Sequence, residues 1–245
     1  MTGADGSFES HGTALRFHEA LPEDPARAAV IVVPDVWGLS DHYRDVTERL
    51  AATGYAAFAI DIYSRSAAPD PAALDDLGKV GDWIAAIPDR RIMQDIQMLA
   101  GHINTRPWAR GLATGITGFC LGGQYALMAG AAVSGLAASV SWYGMLRSGP
   151  PTETTPESAI DMAPRLACPW LGLYGEEDPL IPMADVEELR GVLETEGADF
   201  ELIAYPDTGH AFFNDTRPEL YRPEAAVDGW QRTLGFFDRH LARAA

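Results

Sequence analysis

Cysteine is scarce in this chain of 245 residues: there are two, Cys120 and Cys168. Two thiols cannot build the disulfide framework of a stapled secreted domain, and neither stands in a CxxC pair of the kind that holds zinc or exchanges disulfides. Positive charge is scarce as well. Lys and Arg number 18 against 35 Asp and Glu, a formal net charge of −17. Such a surface repels phosphate backbones and anionic bilayers, so neither nucleic acid nor a membrane is an expected partner. It disfavours anionic small molecules only weakly, because a local basic patch overrides the mean field. Long apolar runs are missing too. The longest, Ala29 to Val33 and Leu136 to Met145, fall far short of the roughly 20 residues a spanning helix needs. Residues 1–20 are polar and acidic, without the basic-then-apolar order of a signal peptide. The expectation is a cytoplasmic protein. No cluster of His, Cys, Asp and Glu at ligand spacing suggests a metal.

What is present is ample core material, 47% hydrophobic residues, in a length that suits one domain spanning residues 1–245. Short apolar runs alternate with helical patterns. Ala29 to Val33 is continuous and β-branched, as a strand buried on both faces would be. Ser40 offers an N-cap; Tyr43, Val46 and Leu50 share a helical face, and Gly54 ends the helix. A strand follows at Ala56 to Ile60. Pro71 to Ile87 reads as a helix stopped by Pro88, and Arg91 to Ile103 as another. Then come a strand at Ala113 to Thr117, a small-residue helix at Leu121 to Ala132, and strands at Ala137 to Tyr143 and Pro169 to Tyr174. Arg147 to Pro164 reads as a long loop. Met183 to Thr195, Asp199 to Tyr205 and Ala225 to Ala242 read as helix, strand and closing helix. The alternation predicts an α/β fold with a mostly parallel central sheet and helices on both faces.

The stretch Gly118-Phe-Cys120-Leu-Gly122-Gly123 lies between a predicted strand and a predicted helix. A nucleophile on so sharp a turn takes strained backbone angles, and glycines two before and two after leave room for the chain. The turn puts Cys120 at a helix N-terminus, where free N–H groups and the helix dipole favour a thiolate and can hold an oxyanion. Leu121 N–H is the natural first donor. The structural alternative is a buried cysteine in a glycine-rich helix start. Cys168, before Pro169 and a strand, reads as core packing.

A thiol nucleophile needs a histidine to manage its proton and an acid to fix that histidine's tautomer. Gly175-Glu-Glu-Asp178-Pro-Leu-Ile-Pro182 carries a predicted strand into a turn. Glu176 and Glu177 compete there, but Asp178 adjoins the apolar segment that would anchor it inward. His210 follows another predicted strand, on a turn that Gly209 would permit. His11 and His18 belong to the N-terminal arm, and His42, His102 and His240 to helical patterns. Cys120, Asp178 and His210 therefore form the candidate triad, in the chain order nucleophile, acid, histidine.

These motifs, with Pro34-Asp35-Val36-Trp37-Gly38, Gly54-Tyr55 and Asp61-Ile-Tyr63, resemble the dienelactone hydrolase family of the α/β-hydrolase superfamily. The likeness runs from about Val30 to the C-terminal helix. It implies an α/β-hydrolase fold, no cofactor, a small ester or lactone as partner, and a monomer or small homo-oligomer. It also implies that Cys120 is acylated, that His210 is the base oriented by Asp178, and that Val36 and Leu121 N–H form the oxyanion hole. Asp35 stands where the family usually has a glutamate that helps generate the thiolate, and Trp37 lies beside it in the substrate region. Asn214 stands where carboxylate-gripping members have an arginine, so neutral esters are expected to do at least as well as carboxylated lactones. Arg90, Arg91 and Lys79 are the alternative cations. Two other functions fit the same residues: a related acyl-transfer or ring-opening enzyme of a biosynthetic or degradative pathway, and a non-catalytic binding or redox-sensing scaffold using Cys120.

Overall fold

The computed structural model describes residues 3–68, 83–84, 87–147 and 149–241. Eight strands form one sheet: β1 (Ala4–Ser10), β2 (Thr13–Ala20), β3 (Ala29–Val33), β4 (Ala56–Ile60), β5 (Thr114–Phe119), β6 (Leu136–Trp142), β7 (Trp170–Gly175) and β8 (Phe200–Tyr205). Their order is β1-β2-β4-β3-β5-β6-β7-β8. From β4 to β8 neighbours run parallel, and only β1 and β2 are antiparallel. This is the α/β-hydrolase fold.

The N-terminal arm is not an arm. β1 and β2 form a hairpin turned by His11 and Gly12, both left-handed at φ 50° and 77°, and β2 pairs onward with β4, Phe17 opposite Ile60. Leu15, Phe17 and Ala20 are buried on it. Polar composition hid a strand whose buried residues are few and spaced.

The helices are α1 (Asp41–Ala52), α2 (Asp89–Thr105), α3 (Leu121–Ala132), α4 (Ala159–Met162), α5 (Met183–Thr195) and α6 (Pro223–His240). α1 buries Tyr43, Val46 and Leu50, with Ser40 at its N-cap position and Gly54, at φ 96°, beyond its end. Ser40 caps through its carbonyl, which accepts from Tyr43 and Arg44 N–H, and not through its hydroxyl. α2 buries Ile92, Ile96, Leu99 and Ile103. The helix expected over 71–87 falls, apart from 83–84 and 87, outside the described residues. The segment 147–164 is not all loop: α4 and a following 3-10 turn (Ala163–Arg165) interrupt it. There the Asp161 carboxylate accepts from Ser158 N–H and hydroxyl at 3.1 and 2.5 Å.

Alternation along β6 shows why both faces are covered. Ser139 and Ser141 point at α3 and donate to the carbonyls of Ala126 and Gly123, each at 2.8 Å. Trp142 faces the other way, against Gly229 of α6, where any side chain would collide with its ring. The hydroxyls are thus satisfied inside the sheet–helix layer, so their burial costs little. No helix among the described residues is long and apolar enough to cross a membrane.

Candidate active site

The carboxyl ends of parallel strands, where chain direction brings loops and helix N-termini together, are the usual seat of chemistry in such sheets. Loops after β3, β5, β7 and β8 converge there. After β5 the chain turns so sharply that Cys120 is left-handed, at φ 55° and ψ −117°, a conformation costing a non-glycine residue about 1–3 kcal/mol. The turn is pinned by Cys120 N–H donating to the Trp142 carbonyl and Gln124 N–H donating to the Cys120 carbonyl, both at 3.0 Å. Its glycines are sterically required. A Cβ on Gly118 would lie 1.9 Å from the Gly122 oxygen, and one on Gly122 would lie 2.1 Å from the Val33 oxygen. α3 starts at Leu121, so Cys120 occupies its N-cap position.

After β7, Glu176 and Glu177 are exposed while Asp178 turns inward, its side chain wholly buried. One carboxylate oxygen accepts the Leu180 N–H at 2.8 Å. The other lies 2.7 Å from His210 Nδ1. The two loops are stapled together by Glu177 N–H donating to the Thr208 carbonyl at 2.9 Å. The histidine turn is not permitted by Gly209, whose φ is ordinary. Its left-handed residues are Asp207 and Ala211, at φ 51° and 57°.

The His210 ring packs edge-on against Tyr143 at 5.2 Å. Its Nε2 is buried without a well-formed hydrogen bond, and Cys120 is its polar neighbour. Burial alone would lower the pKa of this ring. The charge of the Cys120 thiolate and the bond to Asp178 outweigh that and raise it to about 10.

Asp35 is buried after β3, and its Oδ1 accepts the Trp37 N–H at 2.9 Å. Burial raises its pKa, against the Trp37 N–H, the Tyr43 hydroxyl and the charges of Arg217 and His210. Val36 is held by Tyr63, whose hydroxyl donates to its carbonyl at 2.7 Å. Neither Val36 N–H nor Leu121 N–H donates to an acceptor among the described residues. The Trp37 ring lies between Trp83, edge-on at 5.7 Å, and the Arg217 guanidinium, also 5.7 Å from the ring centre.

Asn214 is buried, and its Oδ1 accepts Thr216 N–H and hydroxyl at 3.1 and 2.6 Å. Of the alternative cations, Arg90 lines a separate methionine-rich cavity of about 590 Å³ with His11 and Asp89, Arg91 reaches Gln94, and Lys79 lies outside the described residues. Sequence reasoning missed Arg217. The available signal was an arginine seven residues beyond His210 on the same loop. It missed Tyr143 as well, which follows β6 in a left-handed turn at φ 39°. Among the described residues no group of three or more His, Cys, Asp or Glu could hold a metal ion.

A sequence profile of the dienelactone hydrolase family matches residues 16–241. A Yersinia pestis protein named "Putative carboxymethylenebutenolidase" is 40% identical over 237 residues, 96% of this chain and 87% of its own length. A Bradyrhizobium protein named "Probable 2-oxo-3-(5-oxofuran-2-ylidene)propanoate lactonase" is 33% identical over 213 residues, 87% of this chain and 84% of its own. A crystal structure named "Putative Dienelactone Hydrolase", from Klebsiella pneumoniae, superposes with a TM-score of 0.88 at 34% identity, covering 98% of this chain and 100% of that one.

Proposed function

Since the chain belongs to the dienelactone hydrolase family, and is with it a hydrolase of esters or lactones, we propose that Cys120 is the nucleophile, His210 its acid–base partner and Asp178 the residue that orients His210. The observation that carries this reading is the 2.7 Å contact between His210 Nδ1 and a wholly buried Asp178 carboxylate, on a ring that also feels the charge of Cys120. Cys120 Sγ attacks the carbonyl carbon, and the charge that forms on oxygen is taken by Val36 and Leu121 N–H. The carbon–oxygen bond then breaks, and the leaving oxygen takes the Nε2 proton of His210. In a lactone that leaving group stays tethered to the acyl chain. Water next attacks the thioester, His210 accepts its proton, and Cys120 departs as thiolate. The names of the relatives direct the substrate class toward unsaturated five-membered lactones.

Asp35, in this reading, acts on the backbone that carries Val36. Its carboxylate accepts the next-but-one N–H and holds the loop in shape, which requires an acceptor oxygen more than a charge. Asp35→Asn should therefore retain more kcat than Asp35→Ala, and the reverse order would return Asp35 to a charge role.

The central test is trapping of the acyl-enzyme. Mixing with a p-nitrophenyl ester and quenching in acid should leave one acyl group on the peptide holding Cys120, absent in Cys120→Ala. Ester or lactone turnover that survives Cys120→Ala removes the thiol from the mechanism.

A further inference from the structure

The methionine-rich cavity of about 590 Å³ lies between α2, α3 and α4, and no residue of the candidate active site lines it. Its size falls within the roughly 300–1,000 Å³ of small-molecule sites. Four of the chain's seven methionines line it: Met93 and Met98 from α2, Met128 from α3 and Met162 from the end of α4. Thioether side chains adapt their shape to an apolar guest and make favourable contacts with aromatic rings.

Most polar groups on the wall are already engaged. Glu157 pairs with Arg165 at 2.9 Å, Gln94 accepts from Arg91 at 3.2 Å, and Gln97 accepts Ser134 N–H and hydroxyl at 2.9 and 3.0 Å. Arg90 and His11 are exposed, where water serves them. Asp89 differs. It is 3% exposed, and neither of its carboxylate oxygens has a hydrogen-bond partner. The Tyr125 hydroxyl of α3 is near enough to act on it, yet that hydroxyl is itself buried without a well-formed bond. An acid in the first turn of a helix is ordinary at the surface, where the dipole and water both favour its charge. Stripped of water it needs donors, and the described residues supply none in bonding geometry. In a molecule of net charge −17, the mean field draws in cations.

We propose that this cavity binds a primary ammonium compound with an apolar body about the size of an aryl group, the ammonium donating to Asp89 and the body resting on the methionines. This second site is independent of the hydrolase reading and needs no turnover to be tested.

The test titrates 2-phenylethylamine, 2-phenylethanol and phenylacetate by calorimetry into wild type and Asp89→Asn. The amine should bind wild type about tenfold or more tighter than the alcohol, and Asp89→Asn should erase most of that difference while leaving the alcohol nearly unchanged. Burial pushes the Asp89 carboxyl up to about 6, against the Tyr125 hydroxyl. Below that pH the acid is neutral while the amine stays charged, so amine affinity should fall with falling pH. That fall should be absent in Asp89→Asn, which keeps Arg90, His11 and Glu157. Wild type alkylated at Cys120 should bind the amine as well as the untreated protein does. An amine that binds no tighter than the alcohol, or that ignores Asp89→Asn, overturns the proposal. So does an amine displaced by alkylation of Cys120, which would sit in the candidate active site. Tighter binding of phenylacetate than of the amine would make Arg90 the recognising group and also overturn it. If Asp89→Asn does not fold, the amine–alcohol difference and its pH dependence on wild type decide.

Discussion

Cys120 and Cys168 lie at opposite ends of the sheet and near opposite ends of one helix. Cys120 follows β5 at the carboxyl edge and precedes the first residue of α3. Cys168 precedes β7 at the amino edge, buried against the last turn of the same helix, where a Cβ on Gly130 would lie 3.4 Å from its sulfur. The positive end of the α3 dipole thus meets Cys120 and the negative end is nearer Cys168. A histidine joins the first thiol. The second has only its burial, which pushes its pKa up to about 11. Two identical side chains have different surroundings because of where a helix begins and ends, and the proposed roles follow that placement.

The largest expected contrast is in turnover. Cys120→Ala should lower kcat by about four orders of magnitude or more, as loss of a nucleophile does, while Cys168→Ala should leave it within about twofold. Loss of activity in Cys168→Ala, with the fold intact by circular dichroism, would break the comparison outright. Asp178→Asn comes next, with kcat down roughly two to four orders of magnitude because the His210 tautomer is no longer held. Glu177→Gln, an exposed neighbour, should be mild, and a crippled Glu177→Gln would move the acid.

Alkylation separates the thiols directly. Near pH 8 a thiol at about 11 is ionised in only about one molecule per thousand, so iodoacetamide should mark Cys120 well ahead of Cys168. The Cys168 rate should climb about tenfold per pH unit toward that value, and Cys120 should not follow that slope. Equal rates by peptide mapping would deny any activation at the helix start. The smallest effect is on stability. Gly122→Ala drives a Cβ into the Val33 carbonyl, whereas the Gly130→Ala methyl meets the movable end of Leu166 at 2.8 Å. Urea melts should show a loss of about 3 kcal/mol or more for the first and about 1 kcal/mol for the second. A reversed order would mean that the turn is not tight.

Much of this was legible where the physical cause is local. The apolar runs of β3 and β4 are buried throughout, and α3 spans the expected Leu121–Ala132 because glycines and a strand–helix change of period sit side by side. Asp178 is buried where Glu176 and Glu177 are exposed, but the apolar segment after it anchors the chain only through Ile181, since Pro179, Leu180 and Pro182 are exposed. The hairpin of β1 and β2 was not legible, since its strands are polar and owe their existence to β4, some 40 residues away. Nor was Arg217. Its significance lies in a ring 180 positions earlier in the chain.

By itself the sequence determined the alternation of buried strands and amphipathic helices, the glycine-flanked turn at Cys120, and the order in which thiol, acid and histidine leave their strands. Each follows from residue-scale sterics and periodicity, which neighbours along the chain dictate. The tertiary structure alone decided that Asp35 serves a backbone N–H, that left-handed Asp207 and Ala211 turn the histidine loop, and that Asn214 builds a turn while Arg217 stands over Trp37. Those outcomes depend on which groups desolvate together. That is set by contacts between segments far apart in the chain, and residue order alone does not carry it.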